Sequence, residues 1–289
     1  MTPARYTWSA LVALLAILAA APSAPAQDYP TRPVTIIVPF APGGSADIGA
    51  RMFAQKLTER LGKPVVVENR AGAGTVIGAN AAAKAAPDGY TLLMGGSSAL
   101  AYNVTLHKSL PYDPVRDFVP LAHVAAIPFV LVVQPSLPVQ SVADLVKLAK
   151  DKPGHLAFGT AGQGSPAHLC GELLRGMTGI DISYIPYKGS APAMTDFVAG
   201  QVPVMFSSII QVLPNVRSGR LNVLAVGATK RTPVLPDVPT VAEAGFPGYE
   251  VYVWWGIVAP RGTPRPVLEK LRREFAGSVL MLSALRVGR

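Results

Sequence analysis

A single cysteine, Cys170, stands in a chain of 289 residues, which excludes an intrachain disulfide framework and any multi-cysteine metal centre. Charge is also scarce: 15% of residues are charged against 50% hydrophobic, too apolar a balance for a disordered protein. The four histidines, His107, His123, His155 and His168, form no H-E-x-x-H and no close pair, so no metal site is expected. There is no G-x-x-x-x-G-K-[ST] loop, no G-x-S-x-G elbow and no S-x-x-K, which removes phosphate-loop hydrolysis and two serine-nucleophile signatures. Gly72, Gly74 and Gly78 give G-x-G-x-x-x-G, one residue too long for the dinucleotide fingerprint, and no cofactor is expected. Proline and glycine, by contrast, are plentiful at 28 and 27, without a collagen period, so the chain has many rigid turns.

Long apolar runs are nearly absent too. The unbroken stretch Ala10 to Ala21 is well short of the roughly 20 residues that span a bilayer. With Arg5 before it and Ala24-Pro25-Ala26 after it, residues 1–26 read as a secretory signal peptide cleaved before Gln27. An uncleaved anchor helix is the competing reading. The rest of the chain is then expected to fold outside the cytoplasm, as a soluble periplasmic protein. The formal charge of +9 falls to +8 once Arg5 is removed, and +5 of it lies between Arg261 and Arg289. A basic terminal stretch without a recognition motif predicts a solvated helix and no nucleic-acid partner.

Short apolar runs alternate with helical patterns. Strands are predicted at Val34–Phe40, Pro64–Asn69, Tyr90–Gly95, Pro128–Gln134, His155–Gly159, Ile182–Tyr187, Val202–Phe206, Leu221–Gly227 and Trp254–Pro260. A helix from Ala46 to about Leu61 is expected to bury Ile48, Met52, Phe53 and Leu57, and another runs from about Thr75 to Ala86. Ser141 with Asp144 reads as a capping box. Such alternation predicts α/β architecture with parallel sheets covered on both faces, and the strand count fits two sheets better than one. The polar, proline-punctuated segment from Tyr102 to Pro120 is the expected domain crossing, with the return at Arg217–Arg220.

Glycine- and serine-rich turns between strands and helices are the candidate chemistry. Pro42-Gly43-Gly44-Ser45-Ala46-Asp47 lets the backbone approach a ligand, with Ser45 as the expected cap and free amides suited to an anion. Asp47 reads as a partner of the helix dipole. Thr160-Ala161-Gly162-Gln163-Gly164-Ser165-Pro166 repeats this chemistry, with Ser165 as N-cap, Pro166 first in the helix and His168 in its first turn. Tyr187-Lys188-Gly189-Ser190 adds a cation beside a third helix start, and Ser97-Ser98 and Ser207-Ser208 end two more strands. Ligands of open parallel sheets sit beyond the carboxyl ends of the strands, so these turns can share one crevice.

In this order, VPFAPGGSADIGAR, VVVENRAGAGTVIGAN, AAPDGYTLLMGGSSALAYN, FGTAGQGSPAHLCGELL and YIPYKGSAPAMTDFVAGQVPVMF resemble the Bug family, the TctC-like receptors of tripartite tricarboxylate transporters, over roughly residues 27–275. The resemblance implies a two-lobe periplasmic binding protein of the type II, Venus-flytrap kind, with lobe 1 at 27–101 and 221–289 and lobe 2 at 102–220. It implies a monomer that closes on a small carboxylate and docks on a permease of a large and a small subunit. By match to the family, ligand contacts fall on Phe40, Pro42, Gly43, Gly44, Ser45 and Ala46, on Ser97 and Ser98, on Thr160, Ala161, Gly164, Ser165 and His168, and on Tyr187, Lys188 and Gly189. Ser207 stands where many relatives carry Asp, which implies a weaker preference for amine-bearing ligands. The family usually runs about thirty residues further, so the chain reads as truncated, with its helical pattern fading after Phe275 and apolar surface exposed.

Two rivals stay open at this stage. One is a secreted hydrolase using a cleft serine, with His168 as its candidate base. The other is a sensor that hands its closed form to a signalling partner.

Overall fold

The computed structural model describes residues 29–287, so the leader expected at 1–26 lies outside the described residues. Residues 29–31 belong to a first unit, Met1–Thr31, and carry no regular secondary structure. The second unit, Arg32–Arg289, holds every element named below.

Strand β1 (Val34–Val38) pairs in parallel with β2 (Val65–Asn69) on one side and β3 (Thr91–Gly96) on the other. Helix α1 (Ser45–Leu61) crosses from β1 to β2, and α2 (Val76–Ala83) from β2 to β3. Gly62, at φ 67° in the left-handed region, ends α1 and returns its N–H to the Thr58 carbonyl. The buried face of α1 is Ala46, Ala50, Phe53, Ala54 and Leu57, a regular helical stripe. Ile48 and Met52, expected on that face, are 39% and 47% exposed. They lie two residues from Ala46 and Ala50, roughly 200° around the helix, and the alanines set its close approach to the sheet.

A second parallel set is built around β5 (Leu156–Thr160), flanked by β6 (Ile182–Pro186) and β7 (Val204–Ser208). Helices α4 (Val142–Asp151), α5 (Pro166–Thr178), α6 (Ser190–Val198) and α7 (Ile209–Arg217) accompany it, after a single turn α3 (Asn103–Leu106) earlier in the chain. The cap at Ser141 is present: its hydroxyl accepts the Asp144 N–H at 3.0 Å.

The two sets are joined by antiparallel pairing. Strand β4 (Phe118–Val133), 16 residues long, pairs at its start with β9 (Tyr252–Pro260) and at its end with β7 and β8 (Asn222–Val226). Strand β9 in turn pairs with β3. The sheets therefore share β4, and β4 itself makes the crossing assigned to 102–120. Tyr112 and Phe118, placed by sequence with the second lobe, instead pack among Ile37, Leu93 and Val258 of the first sheet. Similarly β8, placed with the first lobe, is hydrogen-bonded to β4 beside the second set. The end of β4, the unbroken buried apolar run Phe129–Val133, was legible; the first half, broken by Pro120 and His123 and buried only at scattered positions, was not assigned to a strand.

Helix α8 (Arg265–Val287) continues well past Phe275, where its sequence pattern fades. It packs on α1 through Phe53 and Phe275, ring centroids 6.5 Å apart, and through an Arg60–Glu274 ion pair at 2.7 Å. Among the described residues no helix is long and apolar enough to cross a membrane.

Candidate functional site

The carboxyl ends of β1, β2, β5, β6 and β7 open onto adjoining cavities. The inner one, about 30 Å³, has room for little more than a water molecule and is walled by residues from both parallel sets. Three helices begin at it: α1 at Ser45, α5 at Pro166 and α6 at Ser190. First-turn N–H groups have no acceptor within their own helix, and the helix dipole adds positive potential there. No Asp, Glu, Lys, Arg or His lines this cavity. Beyond it lies a larger chamber of about 830 Å³ that shares Phe40 and Ala161 and includes His107, His168 and Lys188.

The loop ahead of α1 is held from behind by Asp47, which is 3% exposed. Its carboxylate accepts the Gly43 N–H at 3.0 Å, Arg51 Nε at 3.0 Å and Asn69 Nδ2 at 2.9 Å, while Asn69 Nδ2 also donates to the Phe40 carbonyl at 3.1 Å. Burial pushes the Asp47 pKa up. Hydrogen bonds from Arg51, Gly43 and Asn69, with the Arg51 charge, outweigh that and hold it below the ordinary carboxylate value. Asp47 thus faces the loop rather than the cavity and fixes its path.

Opposite, Ser165 is the N-cap of α5 with Pro166 at the first helical position, as expected, and its hydroxyl accepts the His168 N–H at 3.4 Å. The Gly164 N–H donates to His168 Nδ1 at 3.3 Å, and the imidazole packs edge-on against Tyr184 with centroids 4.6 Å apart. Burial lowers the His168 pKa; the Glu172 charge opposes this and the Arg175 charge reinforces it. No hydrogen bond joins a serine hydroxyl to the His168 ring among the described residues; the ring nitrogen facing the turn is engaged by a main-chain amide.

Loops from the two parallel sets touch across the cavities. A Cβ on Gly44 would lie 2.7 Å from Ser190 Oγ, and one on Gly189 2.8 Å from Ala41 Cβ. Gly74 has its φ at 59° and meets the Gln163 carbonyl across the chamber at 3.1 Å from the same notional atom. These glycines let the loops close to a separation that alanine would not allow.

Of the residues singled out by sequence, Phe40, Gly44, Ser45, Ala46, Ala161 and Ser207 line the inner cavity. Phe40, Ala161, Gly164, Ser165, His168, Tyr187, Lys188 and Gly189 line the chamber. Five stand off both walls: Pro42, Gly43, Ser97, Ser98 and Thr160. The Gly43 N–H is taken by Asp47, and Pro42 is exposed beside it. Thr160 is 1% exposed at the end of β5, with its hydroxyl accepting the Gly162 N–H at 3.3 Å. Ser97 and Ser98 are buried at 1% and 2% exposure behind the cavities. The cap of α1 also differs: Gly44 holds that position and Ser45 is the first helical residue. Phe129, Met205, Gln211 and Trp255 of the inner wall carry no motif and were missed. Ser190 was legible in principle, since it follows Gly189 at a helix start as Ser45 follows Gly44.

Two α/β halves with parallel strands at their centres, bridged by β4 and β9 and opening on a cavity at the carboxyl ends of both, define a two-lobe periplasmic binding protein fold. The chain belongs to the tripartite tricarboxylate transporter receptor family, TctC, whose pattern matches residues 49–284. It is 45% identical over 251 residues to Protein BugT of Bordetella pertussis (strain Tohama I), covering 86% of this chain and 77% of that one. Among solved structures, R. palustris Rpa4515 with adipate is 42% identical at a TM-score of 0.83, covering 86% of this chain and 83% of that one. MatC (Rpa3494) from Rhodopseudomonas palustris with bound malate is 36% identical at a TM-score of 0.83, with coverage of 86% and 85%.

Proposed function

We propose that the chain is a periplasmic solute receptor that holds a small carboxylate between its two lobes and delivers it to a tripartite tricarboxylate-type permease of a large and a small membrane subunit. The observation that carries the reading is the meeting of three helix starts, Ser45, Pro166 and Ser190, at one cavity with no ionisable side chain on its wall. An anion there is stabilised by main-chain N–H groups from both lobes. A hydrogen bond to a charged acceptor contributes about 1.5–3 kcal/mol, so three or four suffice for micromolar affinity, about −8 kcal/mol. The adipate and malate held by its structural neighbours support a carboxylate as the bound group.

Strand pairing supports lobe limits of 32 to about 120 with about 253–287, and about 128–251, with β4 and β9 as the crossing strands that flex when the lobes part. The contacts of Gly44 with Ser190 and of Gly189 with Ala41 are those of closed lobes, which exclude water and give the permease a surface that only the loaded receptor presents. The leader at 1–26 supplies the route to the periplasm. The hydrolase reading is weaker on this geometry, because the His168 ring is bonded to a main-chain amide rather than to a serine.

Isothermal titration of the chain with succinate, malate, glutarate, adipate, citrate and benzoate tests the reading. Saturable binding of at least one acid, with no turnover of it, is expected. No binding across the whole set, or conversion of a ligand to product, would overturn it.

A further inference from the structure

We infer that His168 is a positioning residue: its neutral ring holds the turn ahead of α5 in shape for the solute without gripping the carboxylate itself, so binding weakens in mild acid. The inference rests on the receptor reading above and adds a pH dependence to it. The turn from Thr160 to Ser165 brings Ala161 to the inner cavity and Gly162, Gln163, Gly164 and Ser165 to the chamber. Thr160 Oγ1 accepts the Gly162 N–H at 3.3 Å, and the Ser165 N–H donates to the Gly162 carbonyl at 3.1 Å. The buried Gly164 N–H has His168 Nδ1 as its one acceptor among the described residues, at 3.3 Å. Gly164 sits at φ 71°, and a Cβ on it would lie 3.0 Å from Leu106 Cδ1 of the facing lobe. A shift of this turn is therefore a shift against the opposite lobe.

A ring nitrogen that accepts a hydrogen bond carries no proton, which puts the imidazole proton on Nε2, 3.9 Å from Glu172 Oε1. Protonating Nδ1 sets two N–H donors against each other. The ring must then turn away, and the Gly164 N–H is left buried without a partner, which is costly. In the free protein the turn can open to water; with a solute between closed lobes it cannot. The charged and titratable groups around the ring are Glu172 and Arg175 on α5, Tyr184 on β6, Lys188 after β6 and, across the chamber, His107. Glu172 is bonded to Arg175 at 2.6 Å, so its pull on an imidazolium is shared. Burial outweighs that pull and sets the His168 pKa below the ordinary imidazole value. The ring is thus neutral at pH 7.5 and charges in mild acid.

Two variants separate the roles of the ring. His168→Asn puts an amide oxygen where Nδ1 stands and does not titrate; His168→Phe keeps a ring against Tyr184 and has no acceptor. Calorimetric titrations from pH 5 to 7.5 use whichever of succinate, malate, glutarate, adipate, citrate and benzoate binds the wild type most tightly. At pH 7.5 His168→Asn is expected to bind at least tenfold more tightly than His168→Phe. The wild-type to His168→Asn affinity ratio should fall at least fivefold from pH 7.5 to pH 5, and the solute's own protonation cancels in that ratio. A ratio that rises in acid would mean an imidazolium on the carboxylate. A flat ratio, or His168→Phe binding as tightly as His168→Asn, would mean a ring that only packs. Each of these overturns the inference and leaves the receptor reading standing, whereas failure of every acid overturns both. If His168→Phe does not fold, the ratio decides alone.

Discussion

Replacing Asp47 with Asn removes a buried charge that lines neither cavity and leaves the shape of the side chain in place. In the native protein the carboxylate accepts from Gly43 N–H, Arg51 and Asn69 while only 3% exposed. The amide keeps one acceptor and turns an NH₂ toward a main-chain donor and a guanidinium. The Gly43 contact and part of the Arg51 contact are then lost. Charge-assisted hydrogen bonds contribute about 1.5–3 kcal/mol each. The Arg51 side chain is 54% exposed and regains water, which discounts its share. A net loss of about 2–4 kcal/mol follows, and at about 2–4 °C per kcal/mol for a chain of this size Tm should fall by about 4–16 °C at pH 7.

The pH dependence has a definite sign. The Asp47 pKa is depressed in the folded state, so its contribution is fully present above the unfolded value of about 3.9 and fades as pH falls through the folded one. The Tm difference between wild type and Asp47→Asn should therefore be constant from about pH 5 to 7 and close in acid. Differential scanning calorimetry from pH 3 to 7 reads both effects. Equal Tm values at pH 7, or a gap that widens in acid, would refute the reasoning that Asp47 holds the loop ahead of α1.

Gly44→Ala places a Cβ 2.7 Å from Ser190 Oγ at a φ of −79° that alanine adopts freely. It should leave the unliganded Tm within about 1 °C while weakening any bound acid about tenfold or more, for a contact worth some 1.4 kcal/mol; unchanged affinity would show that the loops need not meet. Cys170 is fully buried on α5 and its thiol is pushed up to about 12, first by burial. It should resist a thiol-disulfide reagent at pH 8 until the chain is unfolded; rapid labelling of the native protein would contradict its placement.

Most of the architecture was legible because buried parallel strands are short apolar runs bounded by Gly and Pro, as in Val34–Val38 and Val204–Ser208. Strand β4 was half hidden, since pairing with β9 on a crossing strand places no demand for continuous apolar residues, and Pro120 closed the proline-punctuated segment read as the domain crossing. At the site, turn chemistry marked Gly44, Ser45, Gly164, Ser165 and Gly189, because those positions need special backbone geometry. Phe129, Met205, Gln211 and Trp255 line the cavity through the folding of distant strands, and aromatic or amide residues within strands look the same whether they face a core or a ligand. The loop at 72–75, with positive φ at Ala73 and Thr75, was weighed by its residues as a dinucleotide motif one residue too long, yet it forms one wall of the chamber.

The proposed grip of main-chain N–H groups on a carboxylate can be probed one hydrogen at a time at Ser45. It is the first residue of α1, where proline is tolerated, and Gly44 before it is extended (φ −79°, ψ 167°), as a residue preceding proline must be. Ser45→Ala removes the hydroxyl alone, whereas Ser45→Pro also removes the N–H. Calorimetric titration of both variants with the tightest-binding acid of the panel should show Ser45→Pro weaker than Ser45→Ala by tenfold or more, about 1.5–3 kcal/mol for one charge-assisted hydrogen bond. Equal affinities in two variants that melt alike would contradict a carboxylate held by the helix start of α1.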